Sequence, residues 1–295
     1  MYSQIETNKR NSVFLFIIFF ILIGVVAYVV NLLFFQGYVF IIIAAIIAIA
    51  FGFISYRSGD KVVLAMTKAK EVKKKDQPYL VNLVEGLAIA AGIPKPRIYI
   101  IPGQQINAFA TGTSPKKASL AVTEGTLSKL NRQELEGVVA HEMSHIKNYD
   151  IRVMVLASVL VGVIIFLSEI LLRSFIFGGL RGNNRQGGGG AQIIMMVVGI
   201  ALLILAPIVA QMIKFAISRK REYLADASGA LLTRYPKGLA DALRKIKGDT
   251  SELRTSSNAI SHLFISNPFK KKRFLKNMFN THPSLDSRIE KLESM

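Results

Sequence analysis

His141 and His145 stand four residues apart, with Glu142 directly after the first, in the run Val138-Val-Ala-His141-Glu142-Met-Ser-His145. On an α-helix, residues four apart share a face, so the two imidazoles point the same way. Zinc prefers imidazole nitrogens in tetrahedral geometry, and such a pair supplies two ligands without straining the backbone. Glu142 then lies beside whatever the histidines bind. A divalent ion lowers the pKa of a coordinated water towards about 7, and a neighbouring carboxylate takes the proton released. These are the residue types of hydrolysis. The competing reading is two surface histidines on an ordinary amphipathic helix, and a third ligand would decide between the two.

A candidate lies in Ser218-Arg-Lys-Arg-Glu222-Tyr-Leu-Ala-Asp226. Glu222 and Asp226 are also four apart on one helical face, one placed to ligate and the other to hold the N–H of a ligand imidazole. Taken alone, Glu222 reads better as an exposed helix acid balancing Arg219 and Arg221. Joined to His141 and His145, it reads as the third ligand.

The elements that must position these residues have an unusual composition. Hydrophobic residues form 51% of the 295-residue chain, yet its formal net charge is +18, and the two properties are segregated along the sequence. Apolar runs at 13–35, 38–54, 153–172 and 193–217 are each long enough to cross a hydrocarbon core of about 30 Å as a helix. Four spans in two hairpins are expected, the first retained as an anchor because it exceeds the apolar core of a cleaved signal. Lys9 and Arg10 precede the first span, Lys73-Lys74-Lys75 lies between the hairpins, and Lys214, Arg219, Lys220 and Arg221 crowd the end of the fourth. That distribution places both termini and the 57–150 segment on the cytoplasmic side. Spans three and four then bring Glu222 back to the face that holds the histidines.

The domain organisation that follows is an amino-terminal membrane hairpin (1–56), a first catalytic part with the histidine helix (57–150), a second membrane hairpin (151–217) and a second catalytic part with the third ligand (218–295). The fold class is an α+β integral membrane protein, four transmembrane helices carrying a mainly helical catalytic domain with a small β-sheet. A basic cluster such as Lys270-Lys271-Lys272-Arg273, next to membrane spans, fits anionic lipid head groups better than nucleic acid. The chain has no cysteine, which excludes disulfides, thiol catalysis and a Cys-ligated zinc.

Local patterning fills in the catalytic parts. Asp60 to Lys75 reads as an amphipathic helix through Val62, Val63, Met66 and Ala69. Pro78 opens a second helix that Gly92 closes in the position of a left-handed cap. Three short strands follow, at Arg97–Ile101, Ile106–Gly112 and Ser119–Thr123. The middle one, with small Ala108 and Ala110 around Phe109, is either an edge strand that pairs with an extended peptide or a hairpin strand of the core. Asn131 and Glu134 make a reciprocal cap for the helix of His141, which runs to about Asp150 with Leu135, Val138 and Val139 on its buried face. Glu169 and Arg173 form an i,i+4 ion pair near the end of span three, and Gly187-Gly-Gly-Gly190 is a loop without chemistry.

These motifs, with Asn107-Ala-Phe-Ala-Thr-Gly112 and Thr281-His282-Pro283-Ser284, resemble the HtpX-type membrane metalloproteases of the M48 peptidase family over nearly the whole chain. The resemblance implies a gluzincin site with one zinc ion per chain on His141, His145 and Glu222. It implies Glu142 as general base and then proton donor to the leaving amine, and Asp226 as the group that orients a ligand histidine. It also implies Asn107, Ala108, Phe109 and Ala110 as a substrate-binding edge strand, and His282 as stabiliser of the oxyanion together with Asn107. Ser284 departs from the family pattern, where a second proline is often found. Arg288 either ties this last motif to the site or is an exposed arginine, and His262 matches nothing and is structural. The implied biology is membrane-protein quality control in the bacterial cytoplasmic membrane. There the enzyme cuts misfolded or damaged membrane proteins at their cytoplasmic loops, in cooperation with other quality-control proteases.

Three other functions compete. An intramembrane-cleaving protease would bury its motif in an apolar span, whereas here Asn131-Arg-Gln-Glu134 precedes it and Lys147-Asn-Tyr-Asp150 follows. A scaffold that keeps the fold without the reaction has no need of Glu142. A transporter would need more polar lining than Asn31 and Glu169 offer.

Overall fold

The computed structural model describes residues 2–34, 38–159, 219–253, 260–266, 268 and 283–295. The expected fourth span, most of the third, the ion pair of Glu169 with Arg173, the tetraglycine loop, the 270–273 basic cluster and His282 lie outside the described residues.

Two long helices open the chain, α1 (Tyr2–Phe34, 33 residues) and α2 (Tyr38–Met66, 29 residues), and they pack against each other. Among the described residues no helix is long and apolar enough to cross a membrane. The helix expected to begin at Asp60 is the end of α2 instead, because nothing between Arg57 and Asp60 interrupts the ladder and Gly59 is accommodated within it. The chain leaves α2 at Thr67, and Lys68 turns it with φ +55°. Lys70–Glu71 then forms a short strand, β1, paired antiparallel with Ile100 and Tyr99.

Helix α3 (Pro78–Ala91) begins at its proline and ends at Gly92, whose φ of 68° lets its N–H reach the last carbonyls. A side chain there would strain the left-handed backbone. Beyond it β2 (Arg97–Ile101), β3 (Ala108–Gly112) and β4 (Ala118–Thr123) complete a four-stranded sheet of order β1-β2-β4-β3. β2 runs parallel to β4 and β3 antiparallel to it, in register Ala108 to Val122 and Ala110 to Leu120. So β3 lies at the edge of the sheet and is buried throughout, a hairpin partner of β4 with its other side unpaired by any strand among the described residues.

Period-two alternation divides the sheet between two cores. Ile98, Ala108, Ala110, Leu120 and Val122 face one cluster, while Tyr99, Ile101, Phe109 and Ala121 face another with Val63, Met154 and Phe264. The first cluster is built on α5 (Arg132–Lys147), which follows the short α4 (Glu124–Lys129) and packs against α3, β3, α6 (Arg219–Thr233) and α7 (Pro236–Gly248). A last helix, α8 (Leu285–Glu293), lies against α6 and α7. Segments 78–112 and 219–248, far apart in the sequence, thus enclose α5. The described architecture is mixed α/β, mainly helical with one small sheet.

Candidate metal centre

Helix α5 starts where its sequence dictates. The Asn131 side chain accepts from Glu134 N at 3.0 Å and the Glu134 carboxylate accepts from Asn131 N at 2.7 Å, the two halves of a capping box. From there Leu135, Val138, Val139, Met143 and Ile146 enter the core. The same helix sets His141 and His145 side by side, with 1% and 3% exposure and rings perpendicular at 4.7 Å between centroids.

α6 crosses α5 closely enough that a Cβ on Gly229 would lie 3.0 Å from the His141 backbone nitrogen. That approach delivers Glu222 and Asp226 from one face of α6. Glu222 Oε2 lies 3.8 Å from His141 Nε2, and Glu222 Oε1 lies 3.6 Å from His145 Nε2. The two Nε2 atoms are 3.2 Å apart. All three residues offer a ligand atom within 4.8 Å of the others.

Whether this trio suits a metal is tested by its other atoms. His141 Nδ1 is 3.0 Å from Asp226 Oδ1, and His145 Nδ1 is 2.9 Å from Asp150 Oδ2. A carboxylate on Nδ1 places the ring proton there and leaves the Nε2 lone pair facing the common point. Two nitrogens each about 2.0–2.1 Å from a tetrahedral ion stand roughly 3.3 Å apart, close to the distance observed. The residues fit a divalent metal.

Charge in this buried site is balanced by arginines. Arg288, fully buried on α8, donates from Nε to Asp226 Oδ2 at 2.8 Å and from Nη2 to Asp226 Oδ1 at 2.6 Å, and its Nη1 lies 3.4 Å from Glu222 Oε2. Burial opposes the Asp226 charge, but the Arg288 guanidinium and His141 hold its carboxyl below the usual range. Of the two readings of Arg288, the structure takes the one that ties the last helix to the site.

Glu142 is 2% exposed. Burial pushes its carboxyl above the usual range, against the pull of His141, His145 and a backbone hydrogen bond from Ala110. Burial disfavours positive charge at His145, but the Asp150 hydrogen bond and the Glu222, Asp150 and Glu142 charges outweigh it, so the acids around the imidazole favour a cation at its Nε2, whether a proton or a metal ion. That Ala110 contact sets the outer edge of β3 beside Glu142. Farther along the edge, Ile265 N donates to Ala108 O at 3.0 Å, and Phe109 packs edge-on against Phe264 at 5.1 Å.

The Asn107 amide donates to Gln105 Oε1 at 3.1 Å and to Ser266 O at 2.8 Å. His282 is outside the described residues. Its neighbour Ser284 caps α8 by accepting from Ser287 N at 3.2 Å, which gives the departure from the proline pattern a structural purpose. His262 is buried with Nε2 3.2 Å from Ser158 Oγ, in keeping with a structural histidine.

Sequence reasoning missed Asp150 and Asn8. Asp150 returns to His145 because Tyr149 adopts φ +62°, ending α5 before the helical stretch 150–159. Only the run of polar residues after Lys147 hinted at such a turn. Nothing in the sequence near Asn8 signals its part.

A model of the family described as Peptidase family M48 matches residues 74–295. The "Protease HtpX homolog" of Listeria monocytogenes serotype 4a (strain HCC23) is 47% identical over 303 residues, covering 100% of both chains. The protein of the same description from Dictyoglomus thermophilum is 42% identical over 294 residues, covering 100% of this chain and 94% of that protein. Among solved structures, the crystal structure of S. mikatae Ste24p shares the fold with a TM-score of 0.53 at 19% identity, over 99% of this chain and 67% of that one. The paired histidines, the carboxylate from a second helix and these matches place the chain in peptidase family M48, with the HtpX-type proteins, as a metalloprotease.

Proposed function

We propose that the protein is a membrane-anchored zinc endopeptidase that cuts membrane proteins at the cytoplasmic face, with His141, His145 and Glu222 as the ligands of one zinc ion. The observation that carries this reading is the pair of Nε2 atoms 3.2 Å apart, each imidazole backed by its own carboxylate and both facing Glu222. Two imidazoles and a carboxylate favour zinc over harder ions. Bound there, the ion supplies Lewis acidity towards water and the scissile carbonyl.

Glu142 takes the proton from the attacking water and later gives it to the leaving amine. Glu142 directly follows His141 and is 2% exposed, which places it for both tasks out of bulk water. Asp226 and Asp150 keep the ligand imidazoles in one tautomer and orientation. A substrate peptide adds to the outer edge of β3, where Ala110 faces Glu142 and Ile265 already holds the Ala108 carbonyl. Phe109 shapes that strand from within the core, and Asn107 braces it through Ser266. His282 stabilises the oxyanion together with Asn107.

The anchor is the hairpin of residues 1–56, joined by a second of residues 151–217 between the catalytic parts 57–150 and 218–295. α1 exposes Val13, Phe14, Ile17 and Ile21, and α2 exposes Val39, Ile42, Ile46 and Phe53. Rows of exposed large apolar side chains support contact with lipid. The basic residues flanking the hairpins support a cytoplasmic catalytic domain in the bacterial membrane, acting in quality control beside other proteases.

The test is cleavage of unfolded casein by the detergent-purified, zinc-loaded chain beside Glu142→Gln, with metal content measured on both. Cleavage by the wild type, with equal zinc and no cleavage in the variant, is the expected result. Zinc in both and cleavage in neither would favour a scaffold. Loss of metal from neither His145→Ala nor Glu222→Ala would overturn the ligand set.

A further inference from the structure

We propose that Asn8, on the amino-terminal helix α1, is a positioning residue of the metal centre that fixes Asp150 so that Asp150 fixes His145, an inference that rests on the ligand set above. Asn8 is 1% exposed and 140 residues away in sequence from the turn it contacts. Its Nδ2 donates to Asn148 O at 2.8 Å and to Asp150 Oδ1 at 2.7 Å, and its Oδ1 accepts from Arg221 Nη1 at 3.2 Å. Every polar position of the amide is used, and in one orientation. Reversing it would set Oδ1 against a carbonyl and a carboxylate.

Asp150 divides its two oxygens, Oδ1 to Asn8 and Oδ2 to His145 Nδ1 at 2.9 Å. The Arg221 guanidinium stands 3.8 Å from the same Oδ1. Without the Asn8 amide, the carboxylate is drawn towards that cation, and rotating about its own axis moves Oδ2 off the imidazole. A neutral donor fixes the carboxylate without neutralising it, as a partner to a ligand histidine requires. Arg221 directly precedes Glu222 on α6, so one amide from α1 touches both Asp150, which backs His145, and the helix that carries Glu222.

A bland alternative is that Asn8 only docks α1 onto α5. Docking has a second contact, the Lys9 ammonium over the Tyr149 ring at 5.2 Å, which does not touch Asp150. The experiment therefore uses the full chain in detergent with Co2+ and Zn2+ as probes, comparing Asn8→Ala, Asn8→Asp, Lys9→Met and His145→Ala. Expected for both Asn8 variants is a metal dissociation constant raised about tenfold or more, an altered visible Co2+ spectrum and a fall in kcat on casein with KM unchanged. Lys9→Met should keep wild-type metal affinity even where its unfolding midpoint drops. Should Asn8→Ala fail to fold, the isosteric Asn8→Asp decides. Wild-type affinity and spectrum in the Asn8 variants overturn the inference, as does an equal loss in Lys9→Met. If His145→Ala keeps its metal, the ligand set falls and this inference falls with it. If it loses metal while the Asn8 variants do not, only the inference fails.

Discussion

Arg288 and Asp226 meet in a two-point contact at 2.8 and 2.6 Å with no exposure of the arginine. The pair joins the last helix to the carboxylate behind His141. Removing the arginine strands Asp226 beside Glu222 with their charges uncompensated. Arg288→Ala should therefore cost about 3–5 kcal/mol, the usual penalty for breaking a buried pair. Arg288→Lys keeps the charge but loses the fork, so it should recover only part of that. Unfolding midpoints of the full chain measure both, and an unchanged midpoint in Arg288→Ala would contradict the buried pairing.

Asp226→Asn preserves shape but not charge at the atom 3.0 Å from His141 Nδ1. The imidazole loses the partner that fixes its tautomer, so zinc affinity should fall about 10–100-fold. Competition with a chelator reads this directly. Affinity equal to wild type would mean that His141 needs no such partner.

Two glycine-to-alanine changes should move stability in opposite directions. A Cβ on Gly137 would sit 2.7 Å from Leu239 N and 2.8 Å from its Cα, so α5 and α7 would have to part. Overpacking of that kind costs about 1–3 kcal/mol, more than the roughly 1 kcal/mol gained in helix propensity. Gly86, exposed on α3, meets nothing within 4 Å. Gly86→Ala should raise the midpoint and Gly137→Ala lower it, and a rise in both would show that propensity alone governs.

Asp249 supplies a pH dependence away from the metal. Burial alone would raise its carboxyl, but the N–H groups of Ile106 and Ser251 and the Lys129 ammonium hold it down at about 2. An unfolded aspartate titrates near 3.9. With the folded value below the unfolded one, its stabilisation is present above about pH 4 and lost as pH falls towards about 2. Asp249→Asn should lower the unfolding midpoint at pH 7, and the gap to wild type should narrow at pH 3. A gap that does not depend on pH would refute the assignment.

The sequence by itself determined what interactions within one or two turns decide. The face shared by His141 and His145, the capping box of Asn131 and Glu134, the proline start of α3, its left-handed Gly92 end and the short strands β2 and β4 were all legible. In each, the partners are neighbours along the chain, so spacing is geometry. Glu222 needed more, since its spacing to Asp226 shows a shared face but not which helix that face meets.

Only the tertiary structure decided contacts between distant segments. It carried α2 past Asp60, because continuing a helical ladder is favourable when no cap or proline stops it. It made Lys70–Glu71 a strand, since two residues extend only where an edge such as β2 awaits them. It chose Arg288 over the many other arginines, engaged the Asn107 amide with Ser266, and brought Asp150 back to His145 through a positive φ at Tyr149. Asn8 is the extreme case, a polar residue ahead of an apolar run whose partners stand 140 and more positions away. Buried polar groups must find partners wherever the packing of helices places them, and that packing is a property of the whole chain rather than of any stretch of it.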